Sequence, residues 1–178
     1  MSREGKLAKN TFILAIGTFL PKLAAFVTLP VLTACLTKEE MGSYDLVTVL
    51  VSFILPVATL QIQTAAFRFL IDCRNNEQKT KRIITNIFAF IIPPSFVALI
   101  VLFFLLPGSK ITRFLICGYY LVDILVNAAR QVARGINKTL DYSISAIVSA
   151  VGKLIFTTVF VLYLGIGLDG SIVALLIA

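Results

Sequence analysis

Four polar residues form a regular pattern within the apolar segment "DILVNAARQVAR", which runs from Asp123 to Arg134. Asp123, Asn127, Arg130 and Arg134 are separated by 4, 3 and 4 positions, so a helix places all four on one face. Guanidinium groups bind phosphate and carboxylate well, and a carboxylate in such a segment can pair with a cation or carry a proton. The stripe is therefore a candidate binding surface, with Asp123 as the candidate for ion coupling.

The composition of the 178 residues indicates whether this stripe lies in a membrane or in water. Hydrophobic residues make up 58% and charged residues 14%, whereas a soluble domain carries about 25% charged residues. The mean hydropathy is +0.96. We predict an all-α integral membrane protein, a multi-span helical bundle that forms a single membrane domain over residues 1–178.

Five apolar runs reach the ~20 residues that a bilayer core requires. A shorter run at the end of the sequence predicts that the chain stops within a sixth span. The five predicted spans and the start of the sixth cover residues 11–36, 46–71, 83–106, 111–132, 142–164 and 171–178.

Polar stripes recur in three other spans, whereas the third span carries no charge. A charge at the bilayer centre costs about 2.5–3.5 kcal/mol on insertion scales, so such faces turn toward the bundle interior or a water-filled cavity. We therefore expect spans 1, 2, 4 and 5 to line a cavity and span 3 to face lipid. The additional stripes are Thr11, Thr18 and Lys22 in span 1, Gln61, Thr64 and Arg68 in span 2, and Ser145, Ser149, Lys153 and Thr157 in span 5.

Lys22, Asp123 and Lys153 are predicted to lie at a similar depth, about 16–18 Å into their spans at 1.5 Å per residue. The arginines can alternatively extend their head groups into the interface, and the lysines can form a structural salt bridge with Asp123. One carboxylate cannot neutralise two lysines, however, which favours an anionic ligand. The candidate binding residues are Lys22, Arg68, Asn127, Arg130 and Lys153.

Basic residues near the span ends predict the orientation of the chain. Eleven fall on one side and three on the other, which places the N-terminus in the cytoplasm. The eleven are Arg3, Lys6, Lys9, Arg68, Arg74, Lys79, Lys81, Arg82, Arg130, Arg134 and Lys138, and the three are Lys38, Lys110 and Arg113. Because these residues lie in separate flanking segments, the net charge of +7 does not indicate nucleic-acid binding.

The absence of histidine from the sequence excludes histidine metal sites and histidine acid–base catalysis. Membrane enzymes usually bring paired acids, histidine or a cysteine nucleophile to the interface, and this chain has one central acid. We therefore predict no enzyme activity, no catalytic residue, no metal and no cofactor.

The order and spacing of several segments resemble the polysaccharide-export flippases, the Wzx-like branch of the multidrug/oligosaccharidyl-lipid/polysaccharide (MOP) superfamily, which also contains the MATE-type exporters. The likeness covers essentially the whole chain, and none of its motifs is a catalytic signature. The segments are "LAKNTFILAIGTFLPKLAAFVTLPVLTACLTKEEMGSYDLV", "TLQIQTAAFRFLID", "AARQVARGINKTLDYSISAIVSAVGK" and "LGIGLDGSIVALLIA".

The resemblance implies the first lobe of a MATE/MOP-type two-lobe transporter in the bacterial inner (plasma) membrane. Its cargo would be an oligosaccharide linked to undecaprenyl pyrophosphate, moved from the cytoplasmic to the outer leaflet. The implied partners are this lipid-linked oligosaccharide, membrane lipids, and a polysaccharide polymerase with assembly proteins. Two alternatives stay open: a MATE-type multidrug exporter, for whose cationic cargo an acidic cavity is expected, and a non-transport assembly protein of a polysaccharide pathway.

Overall fold

The fold is helical throughout the part of the chain that the computed structural model describes, which is residues 3–73, 76–106 and 109–178, with the backbone alone for residues 3–9. Within these ranges there is no strand, so the predicted all-α class is confirmed. Arg74, which we assigned to the basic side, lies outside the described residues. The helices are α1 (Arg3–Cys35), α2 (Lys38–Thr59), α3 (Ile62–Cys73), α4 (Glu77–Leu105), α5 (Lys110–Gly135), α6 (Thr139–Thr157), a π-helical segment (Thr158–Tyr163) that continues α6, and α7 (Gly167–Ile177).

Five helices in the described ranges are long and apolar enough to cross a membrane. The first, fourth and fifth begin and end close to the predicted positions, whereas α4 begins at Glu77 rather than at residue 83 and α7 at Gly167 rather than at residue 171. The chain is therefore a multi-span membrane protein. The five spans are Asn10–Cys35, Lys38–Thr59, Glu77–Leu105, Lys110–Gly135 and Thr139–Tyr163.

The second predicted span is not one continuous helix over residues 46–71, and that prediction is wrong. Leu60 and Gln61 have φ angles of 48° and 55°, which end α2 at Thr59 and separate it from α3. The left-handed region costs an ordinary residue roughly 1–2 kcal/mol, so surrounding contacts must hold this break in place. Pro56 does not mark this break, because it lies inside α2, and Pro93 and Pro94 lie inside the unbroken α4.

Together, α2 and α3 still cross the bundle from one end to the other. At the start of α2, the Glu40 carboxylate accepts a hydrogen bond of 3.4 Å from the main-chain N–H of Leu168 in α7. Near the end of α3, Leu70 packs so closely on Gly135 of α5 that a Cβ added there would lie 2.8 Å from the leucine. Because α6 and its π-helical extension run between these two places, the contacts mark opposite ends of the bundle.

The apolar core is built from α2, α3, α4, α5 and α7. Ile91 and Leu102 of α4 are buried in it, whereas Phe96 and Val97 on the other side of α4 are exposed. The prediction that the third span faces lipid is therefore wrong for one face of α4, because an uncharged helix can pack its apolar side chains in a core as readily as against lipid.

Among the described helices, α1 and α6 make the most extensive contact, and they run parallel. The Ser143 hydroxyl donates to the main-chain oxygen of Ile13 over 3.0 Å. A Cβ on Gly17 would lie 2.5 Å from the Ser143 oxygen, so only glycine permits this approach. Further along both helices, Leu32 and Val161 share a second buried cluster. This packing fixes the position of α6 and of the polar side chains that it carries.

Candidate functional site

A cavity of about 220 Å³ lies between α1, α5, α6 and α7. It contains charged side chains at a depth where an unpartnered charge is costly in a membrane protein. The polar side chains in its wall include Thr28, Tyr119, Asp123, Arg130, Ser149 and Lys153.

Two of the predicted stripes face each other across this cavity. Asp123 and Arg130 come from the stripe on α5, and Ser149 and Lys153 come from the stripe on α6. Side chains three, four or seven positions apart share a helix face, which explains why each helix contributes several polar groups to one wall. The formal charges of the cavity wall are two positive groups and one negative group, a net charge of +1.

Arg130 connects the two polar helices through one edge of its guanidinium group. Its Nε donates to the Ser145 hydroxyl over 3.2 Å, and its Nη2 donates to the Ser145 main-chain oxygen over 3.0 Å and to the Ser149 hydroxyl over 2.7 Å. Such a side chain is directed into the bundle and does not extend into the interface. Hydrogen bonds of a charged donor contribute about 1.5–3 kcal/mol each, so Arg130 also stabilises the packing of α5 on α6.

Asp123 lies close enough to Lys153 and Arg130 to interact with both electrostatically. It forms no salt bridge with either at 4.0 Å or less; the salt bridges found in the described ranges, Lys81–Glu77 and Lys138–Asp141, are exposed and lie elsewhere. Asn127, a predicted binding residue, is not part of the cavity wall; its Nδ2 donates to the main-chain oxygen of Asp123 over 2.8 Å. The carboxylate therefore shares the cavity with the cations without a tight ion pair.

Lys22 and Arg68 are not brought to this cavity. Lys22 is exposed and borders a shallow groove on the opposite side of α1 with Thr18, whereas its neighbour Pro21 lines the cavity. Arg68 is exposed on α3. The prediction that Lys22 clusters with Asp123 and Lys153 is therefore wrong, whereas Asp123 and Lys153 do share the cavity.

Arg134, the last member of the α5 stripe, belongs to an aromatic contact and not to the cavity wall. Its guanidinium carbon lies 5.0 Å from the centre of the Phe67 ring and 5.2 Å from the centre of the Tyr142 ring. A cation–π interaction at such distances contributes about 0.5–2 kcal/mol. Arg134 thus joins α3, α5 and α6 near the ends at which Leu70 contacts Gly135.

The helices that form the cavity wall differ from the predicted ones: the second span is absent from the wall, and α7 is present. Neither α2 nor α3 lines it, so the prediction that the second span contributes is wrong; Gln61, Thr64 and Arg68 are exposed instead. The sequence reasoning missed α7, whose Leu175 closes one side of the cavity. Tyr119 was also missed, although it precedes Asp123 by four positions and therefore shares its helix face.

No metal site is indicated within the described ranges, where no three side chains of histidine, cysteine, aspartate or glutamate come together. The donors in the cavity are an ammonium group, a guanidinium group and hydroxyl groups. The ammonium and guanidinium groups are donors only, so they bind the oxygen atoms of an anion and cannot act as ligands of a cation.

Comparison with known proteins identifies the family. The family model described as "Polysaccharide biosynthesis protein" matches residues 7–178. The chain belongs to this family. The match confirms the resemblance to the Wzx-like branch of the MOP superfamily and gives the protein a role in polysaccharide biosynthesis. Neither the curated proteins nor the solved structures give a match.

The position of the cavity in this family member can be tested by chemical labelling. We expect cysteines placed at Ser149 and Ala146, which line the cavity, to react with a water-soluble maleimide in membranes that contain the protein. Cysteines at Phe96 and Val97, which are exposed on the apolar face of α4, should react at least tenfold more slowly because lipid excludes the reagent. The native cysteines are replaced by alanine beforehand. Equal labelling of both pairs would contradict a water-filled cavity.

Proposed function

We propose that the protein is a flippase that moves a lipid-linked oligosaccharide, carried on undecaprenyl pyrophosphate, from the cytoplasmic to the outer leaflet during surface polysaccharide biosynthesis. The observation that carries this proposal is the cavity within a membrane bundle of this family, whose wall holds Arg130 and Lys153 against a single carboxylate. Phosphate oxygens are the ligands that such a pair of cations favours.

The size of the cavity limits what part of the cargo it can hold. Drug-sized ligands occupy pockets of about 300–1,000 Å³. The volume of about 220 Å³ is smaller, so it suits a pyrophosphate head group and not an oligosaccharide chain. The sugar and the polyprenyl chain would lie outside this cavity, and Lys22 and Arg68 remain candidates for contacts with them.

The charge of the cavity disfavours the two alternative functions. A MATE-type exporter of cationic drugs needs acidic groups, whereas here the cations outnumber Asp123. A non-transport assembly protein has no use for charged groups gathered in a cavity between membrane-spanning helices, where they are costly. Transport without bond-making chemistry, and therefore without a cofactor, accounts for the residues best. A polymerase and assembly proteins are the proposed partners after transport.

Asp123 is the proposed coupling residue. When a pyrophosphate binds Lys153 and Arg130, the carboxylate loses the electrostatic support of both cations and faces additional negative charge. Taking up a proton relieves that repulsion, so binding of the anion and protonation of Asp123 would favour each other. A proton taken up in this way moves together with the cargo, so Asp123 would couple export to proton movement in the same direction.

The function is tested by deleting the gene in its host and restoring it with variants. We expect the deletion to abolish surface polysaccharide and to leave the lipid-linked oligosaccharide in the cytoplasmic leaflet, as measured by its inaccessibility to an added glycosidase. Asp123→Asn should bind pyrophosphate more tightly than the parent protein, because the repulsion by the carboxylate is removed, but fail to restore export. Loss of the lipid-linked oligosaccharide itself would favour an assembly role, and sensitivity to cationic drugs with normal polysaccharide would favour a drug exporter.

We also propose that the N-terminus lies in the cytoplasm of a bacterial cell, at the inner (plasma) membrane. The end at which Arg134 contacts α3 and α6 carries the larger number of basic residues, which supports this orientation. A phosphatase that is active outside the cytoplasm should be inactive when fused after Gln78 and active when fused after Ser109. The reverse pattern would show that the chain has the opposite orientation.

A further inference from the structure

Ser149 occupies a distinct position in the cavity because it lies between the two cations. It precedes Lys153 by one helical turn on α6, and its oxygen accepts the shortest of the hydrogen bonds from Arg130, at 2.7 Å. Both Ser149 and Lys153 line the cavity. A ligand that touches the two cations therefore passes next to this hydroxyl group.

The hydroxyl hydrogen of Ser149 has no acceptor within the described ranges. A serine hydroxyl has one donor and two acceptor positions, and the bond from Arg130 uses only an acceptor position. Ser145 differs in this respect, because its hydroxyl accepts from Arg130 Nε and donates to the main-chain oxygen of Tyr142 over 2.9 Å. The hydrogen of Ser145 is occupied, whereas that of Ser149 remains available to a ligand.

The remaining donors of Arg130 are also available. The bonds to α6 engage Nε and Nη2, and Nη1 has no partner in the described part of the chain. Because one edge of the guanidinium is held against α6, the opposite nitrogen is fixed in direction before any ligand arrives. Such preorganisation lowers the entropy that binding must otherwise cost.

We propose that Ser149 is a direct ligand of the phosphate group, donating its hydroxyl hydrogen to a phosphate oxygen while accepting from Arg130. Ser145 acts as a positioning residue that holds Arg130 in place. The site then presents three donors to a phosphate group: Lys153 Nζ, Arg130 Nη1 and the Ser149 hydroxyl. This inference rests on the proposed binding of a pyrophosphate, and it assigns the residue that joins the two cations into one site.

The test measures binding of inorganic pyrophosphate and of farnesyl pyrophosphate to the purified protein by calorimetry. We expect Ser149→Ala to weaken binding of both probes by roughly three- to tenfold, the loss of one hydrogen bond and of part of the support for Arg130. Ser145→Ala should weaken binding by about twofold, because the main-chain oxygen of Ser145 still accepts from Arg130. Ser149→Thr keeps the hydroxyl and should bind within about twofold of the parent protein.

Matched controls separate this inference from the proposed function and from folding defects. Ser52→Ala removes a hydroxyl from an exposed position on α2 and should leave binding unchanged. Equal losses in Ser145→Ala and Ser149→Ala, or unchanged binding in Ser149→Ala while Lys153→Ala binds poorly, would overturn the direct contact and leave the pyrophosphate site intact. No binding of either probe to the parent protein would overturn the proposed function. Binding of farnesyl pyrophosphate alone would identify a lipid head group as the source of the phosphate.

Discussion

Replacing Lys153 with alanine is expected to abolish surface polysaccharide and to weaken pyrophosphate binding by about ten- to a hundredfold. The ammonium group is one of two cations in the cavity wall, and a hydrogen bond to a charged group contributes about 1.5–3 kcal/mol. Without Lys153, the charged groups in the cavity wall are Arg130 and Asp123, and the negative charge of Asp123 repels an entering anion. Export should therefore fail even where the protein is present in the membrane at its normal level.

Lys153→Arg should retain part of the activity, because the positive charge survives although the compact ammonium group does not. Lys22→Ala is the matched control, since it also removes a lysine from the apolar part of a span but lies outside the cavity. We expect Lys22→Ala to bind pyrophosphate as the parent protein does. Binding that survives in Lys153→Ala would place the phosphate site elsewhere in the protein.

The comparison of Lys22 with Lys153 shows what the sequence could predict about the site. Counting residues along a helix gives depth, and spacing within a helix gives a common face, so two members of each stripe, Asp123 and Arg130 on α5 and Ser149 and Lys153 on α6, reach the cavity as predicted. Neither count gives the direction in which one helix face points relative to another helix. Adjacent residues differ by about 100° around the axis, and the structure turns Pro21 toward the cavity and Lys22 away from it.

The face of α1 that lines the cavity also has helical spacing in the sequence, but most of its residues are apolar. Pro21, Ala25 and Thr28 are spaced by 4 and 3 positions, the same pattern that identified the α5 stripe. Two of these residues are apolar, and the buried hydroxyl of Thr28 donates to the main-chain oxygen of Ala24 over 2.7 Å. The polar residues of this span, Thr11, Thr18 and Lys22, share a different face, and for this reason the sequence predicted the wrong face of α1.

The prediction for the second span was wrong because of a break in the backbone. The stripe of Gln61, Thr64 and Arg68 was placed on a helix assumed to continue from α2, and the break at Leu60 removes that continuity. Residues with ordinary helix propensity adopt the left-handed conformation there, so composition gives little warning. The contribution of α7 was missed because its short apolar sequence has no polar pattern that would assign it to a cavity.

Replacing Gly17 with leucine is expected to prevent stable folding of the bundle. A Cβ at this position would lie 2.5 Å from the Ser143 oxygen and 2.9 Å from the Ser143 Cα, so a backbone atom and not only a flexible side chain obstructs it. Overpacking of this kind costs about 1–3 kcal/mol and sometimes more. Forcing α1 from α6 would also break the bond from Ser143 to Ile13 and shift the wall that carries Lys153.

The measurement is the melting temperature of the purified protein in detergent, together with its amount in the membrane. Gly42→Leu is the matched control, because Gly42 is also helical and a Cβ there meets nothing within 4 Å. That variant should melt at or above the temperature of the parent protein, since glycine in a helix costs about 0.5–1 kcal/mol relative to alanine. Gly17→Ala should melt lower, and combining it with Ser143→Gly should recover part of the loss, because the serine Cβ and oxygen are then removed. If Gly17→Leu melted like Gly42→Leu, α1 could not be packed on α6 at this distance, and the cavity wall that depends on that contact would need a different geometry.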